Sequence, residues 1–196
     1  MMYARIYDSP LGTLTLAEEN GALIGLWMEG QRYFPARLQA RWEKTPVLTL
    51  AEDWLNRYFA GERPGNPTFP MEPRGTEFQR QVWALLREIP YGKTRTYASI
   101  AEKIAALRGI PRMSARAVGS AVGHNPISIL IPCHRVLGAR GHLTGYAGGL
   151  ERKQWLLDWE TNPAVRLPGG SIPACGPGTG LSDNENGRIQ WLQQRI

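Results

Sequence analysis

The sequence predicts an α/β chain of the α+β kind: a small antiparallel sheet with one helix over it, then a mostly helical segment that carries the chemistry. Three observations predict it. Apolar and polar residues alternate between short turns in the first thirty positions; residues 61–75 are dense in Pro and Gly; beyond them apolar residues recur every three to four positions.

The sheet comes from "ARIYDSPLGTLTLAE" and "GALIGLWME", separated by a Glu-Asn-Gly turn, the first run carrying its own Ser-Pro-Leu-Gly turn. "LTLAEDWLNRYFAGE" places Leu50, Trp54, Leu55 and Tyr58 at helical spacing and ends at Gly61, so a helix covers the sheet. "GERPGNPTFPMEPRG" reads as a linker. It divides the chain into an N-terminal unit at 1–62, a linker at 63–75, a second unit at 76–160 and a flexible tail at 161–196.

In the second unit, "TEFQRQVWALLREIPYG" predicts a helix capped by Thr76, with Phe78, Val82, Leu85 and Leu86 on one face and a stop at Pro90. Two short helices follow around "RGIPRM", capped by Thr96 and Ser114; the first keeps Tyr97, Ile100, Ala101, Ile104 and Leu107 in period. Paired short helices fit a helix-turn-helix, although any helical hairpin has the same pattern. Ile127, Ile129 and Ile131 alternate and predict a short buried strand that ends at Pro132 and delivers Cys133. "GHLTGYAGG" is a Gly-rich loop, and "LERKQWLLDWE" a final helix with Trp155, Leu156 and Trp159 inward. "RIQWLQQRI" in the tail has the makings of a short amphipathic helix.

Composition excludes several classes. No run of about 18 apolar residues exists to span a membrane, and "MMYARIYDSPLGTL" lacks the apolar core and cleavage site of a secretory signal, so the expected location is cytoplasmic. Two cysteines, Cys133 and Cys175, are too few for a disulfide framework and are expected to stay reduced. The net charge is +6, and residues 73–160 alone hold thirteen Lys/Arg against six Asp/Glu. A polyanion approaching the middle of the chain would find that excess useful, and a solvated basic face would produce the same count.

Within "NPISILIPCHRV" a cysteine stands beside a histidine. A free thiol, with a pKa of about 8.5, needs a base to become a nucleophile at neutral pH. On extended backbone Cys133 and His134 would point to opposite sides, so a bridging water would have to relay the proton. The imidazolium then needs an anion on its other nitrogen, and Glu160 is the candidate: at a helix C-terminus it meets the negative end of the dipole, which a specific partner would explain, as would plain solvation. Asn125, held extended by Pro126, is placed to clip the preceding helix to the cysteine segment. A buried structural cysteine is the alternative for Cys133, against which stand its neighbours Pro132, His134 and Arg135.

With Pro132-Cys133-His134-Arg135-Val136, "FQRQVWALLREIPYGKTRTYASIA", "ARAVGSAVGHNPISILIPCHRV", "LTGYAGG" and "RKQWLLDWE", the chain resembles the O6-alkylguanine-DNA alkyltransferases, the methylated-DNA-protein-cysteine methyltransferase family. The resemblance implies a ribonuclease-H-like N-terminal domain and a winged-helix-like C-terminal one. It implies double-stranded DNA with an alkylated base as partner, no cofactor, and a monomer. The reaction it implies is base flipping followed by irreversible, stoichiometric transfer of the alkyl group to Cys133, with O4-alkylthymine a further possible substrate class. By the same resemblance His134 is the water-mediated base, Glu160 its orienting group and Asn125 a hinge. Arg116 fills the stack left by the flipped base, Tyr97 contacts the neighbouring phosphate, Ala117 and Gly119 allow close approach in the minor groove, and Tyr146 with Val136 walls the nucleotide pocket. Extrusion costs a few kcal/mol, less for a poorly paired lesion.

Departures accompany the resemblance. "KIAALRGIPRMSARAV" is a few residues longer than the family's turn, and Ala147 stands where some members carry a hydroxyl. Some relatives hold zinc in the N-terminal domain, whereas here no Cys or His precedes His124, so no zinc is expected. Two related readings stay open: a non-catalytic binder of alkylated DNA, which in that family lacks the cysteine, and a regulator that senses alkylation through the same thiol. A Cys-His redox or hydrolytic protein would leave Arg116 and the basic segment unexplained.

Overall fold

The computed structural model describes residues 1–162. The predicted tail beyond Asn162, its amphipathic helix and Cys175 lie outside the described residues; Thr161, expected in the tail, instead closes the last helix.

Three strands, β1 (Met2–Ser9), β2 (Gly12–Glu19) and β3 (Ala22–Met28), form an antiparallel sheet in that order. Both hairpins follow from their turn residues. Asn20 and Gly21 both have positive φ, 54° and 79°, as a two-residue hairpin turn requires. At the other, Ser9 Oγ donates to Gly12 O and accepts from Leu11 N. Every residue of β3 is buried. Helix α1 (Pro46–Phe59), capped by Thr45, buries Val47, Leu48, Ala51, Leu55 and Tyr58 against the sheet. Leu50, expected on that face, is 49% exposed. The buried stripe passes through Ala51 and Leu55, which leaves Leu50 at its edge.

The Pro- and Gly-rich segment packs along the sheet edge. Leu23 N donates to Pro70 O, Glu72 N donates to Leu23 O, and Phe69 is buried. Helix α2 (Glu77–Arg87) begins at a capping box in which Gln79 N donates to Thr76 Oγ1 and Thr76 N donates to Gln79 Oε1. After the two-residue strand β4 (Arg95–Thr96) come helices α3 (Tyr97–Leu107) and α4 (Ala115–Gly123), capped by Thr96 and Ser114 as expected. Leu107, in period but last in its helix, is 67% exposed. The buried Trp83 indole of α2 donates to Ala121 O, locking α4 in place. Strand β5 (Val136–Leu137) pairs parallel with β4, and α5 (Leu150–Thr161) closes the described chain.

The segment between α4 and Cys133 differs from expectation. Only Ile127 bridges to a strand, at Leu26 of β3; residues 128–130 form a turn, and Ile131 N donates back to Ile127 O. Ile127, Ile129, Leu130 and Ile131 are all buried, so the alternation reflected burial in a compact turn, not a ladder. Ile129 has φ 68°, costly for a β-branched residue and sustained here by the core around it.

Replacing Thr76 by Ala removes the half of the capping box in which Gln79 N donates to Thr76 Oγ1. The urea midpoint should fall by the equivalent of about 1 kcal/mol with an unchanged slope.

Candidate active site

Cys133, His134 and Arg135 form one turn of 3₁₀ helix, all three buried, in place of the extended backbone expected there. Successive side chains therefore diverge around the turn, and no hydrogen bond joins the Cys133 and His134 side chains. Each is held by a different neighbour.

Asn125 holds the thiol. Its side-chain oxygen accepts from Ile127 N at 3.0 Å, while Nδ2 donates to Ile131 O at 2.8 Å and faces Cys133 Sγ at 3.1 Å. Because Asn125 lies just past α4, it ties that helix to the cysteine, as its place before Pro126 suggested. The Tyr146 hydroxyl, buried and without a hydrogen bond of good geometry, lies near enough to the thiol for the two to influence each other's ionisation. Burial raises the Cys133 pKa, against the Asn125 hydrogen bond and the positive charge of Lys153, which lower it.

Glu160 holds the imidazole. His134 Nε2 lies 2.8 Å from Glu160 Oε1, which assigns the proton to Nε2 and leaves Nδ1, buried and without a partner among the described residues, as the basic nitrogen. The same oxygen accepts from Tyr58 OH at 2.9 Å and Arg135 Nη2 at 2.8 Å; Oε2 accepts from Arg135 Nε and from Gly92 N, each at 2.9 Å. Arg135 also donates to Ile89 O at 2.6 Å and lies over the Tyr91 ring. Burial pushes the Glu160 carboxyl up, but the attraction and hydrogen bonding of His134 and Arg135 overcome it, leaving the pKa well below the usual carboxylate range. For His134 burial dominates and lowers the pKa, with Glu160 opposing.

Three participants escaped the sequence reading. Tyr58 belongs to α1, 102 residues from Glu160, and no local pattern connects them. In the sequence Arg135 reads only as a charged neighbour of Cys133. Lys153 could have been found: it shares a stripe with Leu156 and Glu160 on α5, and a charge at such a position signals a built environment. Lys153 is fully buried; Nζ donates to Thr144 O at 2.8 Å and lies 5.8 Å from the centre of the Tyr97 ring. Burial lowers its pKa to about 8, against the pull of Cys133.

Beside this cluster lies an open cleft of about 1350 Å³, lined by Arg116 and Gly119 of α4, by Tyr97, by Tyr146 and its loop, and by Glu29, Gly30, Arg32 and Tyr33. Arg116 is exposed. A Cβ on Gly119 would lie 3.7 Å from the Tyr97 ring, in ordinary contact, and Ala117 stands half-buried beside the Ser114 cap. Tyr97 OH donates to Thr144 O at 3.3 Å. Val136, grouped with Tyr146 in the sequence reading, is fully buried in β5 and does not line the cleft.

The family model described as 6-O-methylguanine DNA methyltransferase, DNA binding domain, matches residues 77–162, and that of the ribonuclease-like domain matches residues 2–73. The chain belongs to the 6-O-methylguanine DNA methyltransferase family. A methylated-DNA--protein-cysteine methyltransferase of Mycobacterium tuberculosis is 48% identical over 165 residues, 84% of this chain and 95% of the relative. One from Haemophilus influenzae is 39% identical over 164 residues, 84% and 89% of the two chains. A crystal structure of the M. tuberculosis OGT in complex with DNA superposes with a TM-score of 0.72 at 45% identity, covering 86% of this chain and 96% of that one. The methyltransferase fold is thus present through both domains.

Removing one donor from Glu160 by Tyr58→Phe should cost about 1–2 kcal/mol in urea unfolding. Glu160→Gln, which strands buried Arg135, should cost about 3–5 kcal/mol. Because the folded Glu160 pKa is depressed, its stabilising contribution is complete above the unfolded value. The gap between wild type and Glu160→Gln should therefore stay constant above about pH 5 and narrow as pH falls further.

Proposed function

We infer that this chain repairs DNA by direct reversal, moving the alkyl group of O6-alkylguanine in duplex DNA onto Cys133, once per molecule. The observation that carries this reading is the buried thiol held by Asn125 at the end of α4, with the Glu160-bound His134 on the adjoining residue. The methyltransferase names of its relatives support the same reaction.

In this mechanism the thiol proton passes through one bridging water to His134 Nδ1, the nitrogen that Glu160 leaves free. Sulfur then bonds the alkyl carbon as the O6–carbon bond breaks. Its electron pair stays on the guanine, which takes up a proton in place of the one the thiol gave up. The thioether is stable, so the acceptor is spent. Lys153 offers positive charge to the sulfur as it ionises. Asn125 acts as the hinge that braces the site.

Base extrusion assigns Arg116 to the gap in the stack and Tyr97 to the neighbouring phosphate, with Ala117 and Gly119 allowing the helix to approach the minor groove. Tyr146 forms the wall of the nucleotide pocket, and since Cys133 is only 4% exposed, Tyr146 and its loop move aside when the base enters. Val136 supports that wall from the core. One lesion needs one copy, so we assign a monomer. We assign the cytoplasm as location; among the described residues no helix is long and apolar enough to cross a membrane. A lesion binder without chemistry would have no use for the Cys133 and His134 arrangement.

Incubation with a duplex carrying one O6-methylguanine should add one methyl group to the intact mass of wild type and none to Cys133→Ser, with lesion lost in equal amount. Binding without any mass gain would return the chain to the lesion-binder reading. His134→Gln should slow transfer by about 10²–10⁴ at neutral pH. The residual rate of that variant should climb with pH through the alkaline range, because the Cys133 pKa is raised and the thiol must then ionise unaided.

A further inference from the structure

The ribonuclease-like half carries a feature that alkyl transfer does not use. Glu29, Gly30, Arg32 and Tyr33, in the turn after β3, line the cleft together with α4 residues. The cleft, at about 1350 Å³, exceeds the roughly 300–1,000 Å³ typical of a small-molecule pocket.

The turn is built rather than loose. Gln31 is buried, and its side-chain oxygen accepts from Met28 N at 2.8 Å and Ser128 Oγ at 3.3 Å. Arg32 N donates to Ala147 O at 2.8 Å, and Arg152 Nη1 donates to Glu29 O at 2.9 Å. On this frame Tyr33 takes φ 64°, a conformation an aromatic residue seldom adopts, and presents a ring that is 52% exposed. Core packing does not account for that geometry. The ring instead stacks on His124, at the end of α4, with centroids 4.0 Å apart and planes 25° from parallel. Arg32 beside it is exposed and, among the described residues, has no ion pair; neither has Arg116, which lines the same cleft. Glu29 is the sole acidic residue of the lining.

Building on the reading above, we propose that Arg32, Tyr33 and His124 form a second contact strip for duplex DNA, gripping the sugar-phosphate backbone of the lesion strand beside the flipped nucleotide. Arg32 neutralises a phosphate, and the stacked rings pack against deoxyribose. Such contacts position the duplex without reading its sequence. The strip is continuous with the α4 face, and its charge has the sign that a phosphate backbone needs. It gives the N-terminal half a part in holding DNA.

The test compares wild type, Arg32→Ala and Tyr33→Ala on two substrates. One is a duplex with a single O6-methylguanine, its Kd followed by anisotropy across a salt series; the other is free O6-benzylguanine base, which needs no duplex. Arg32→Ala should weaken duplex binding three- to tenfold at low salt and flatten the log–log salt slope by about one. Tyr33→Ala should weaken it about fivefold, and both should keep the wild-type rate on the free base. Unchanged duplex affinity and salt slope would overturn the strip. So would a parallel loss on both substrates, which would mean that the turn acts only by supporting the Ala147 loop. A separate protein partner on this face would leave DNA affinity untouched and count against the proposal equally. Failure of wild type to accept an alkyl group from either substrate would sink the alkyl-transfer reading, whereas the affinity comparison judges the strip independently.

Discussion

A single buried carboxylate organises this molecule. Glu160 accepts hydrogen bonds from α1 through Tyr58, from the loop after α2 through Gly92, and from the 3₁₀ turn through His134 and Arg135. A carboxylate in an apolar interior carries a desolvation penalty of several kcal/mol unless its lone pairs are met. Here donors meet both oxygens, and they come from three separate stretches of chain. Satisfying the charge and assembling the site are therefore one event: the geometry that keeps Glu160 ionised also fixes the proton of His134 on Nε2 and turns Nδ1 free.

The same constraint explains why the ribonuclease-like half is inseparable from the chemistry. Tyr58 reaches the carboxylate from α1, and β3 supplies the edge on which Leu26 N donates to Pro126 O and Ser128 N donates to Leu26 O. That edge seats the segment leading to Cys133, and the strained backbone of Ile129 is sustained by a side chain buried in the core. Loosening the sheet would move the thiol and the imidazole separately, since Asn125 governs one and Glu160 the other.

What the sequence revealed follows from how local each signal is. The hairpins and the Thr76, Thr96 and Ser114 caps were legible because turn and cap chemistry acts within a few residues. Leu50 and Leu107 show the limit of periodicity, which finds a helix but cannot say how far the partner surface extends. The alternation of Ile127, Ile129 and Ile131 failed for a related reason: an isoleucine at every second position is the signature of a half-buried strand, yet here residues 127–131 are all buried in a compact turn inside the core. At the site, Cys133, His134, Glu160 and Asn125 could be gathered from their spacing and from the family resemblance. Tyr58 could not, because its link to Glu160 exists only after two halves of the chain pack.

Burial sets the resting state of the acceptor. It raises the thiol pKa and lowers that of the imidazole, so at neutral pH the two stay uncharged, unlike the thiolate–imidazolium pairs of turnover enzymes. For a residue used once, that choice has a physical logic. A permanent thiolate would be open to oxidants and stray electrophiles, and each such reaction would remove a molecule from service. With Cys133 4% exposed and near Tyr146, the proposed mechanism defers deprotonation until a substrate opens the loop. The ionising sulfur then finds Asn125 Nδ2 and the positive charge of Lys153 already in place, so stabilisation of the developing charge requires little reorganisation.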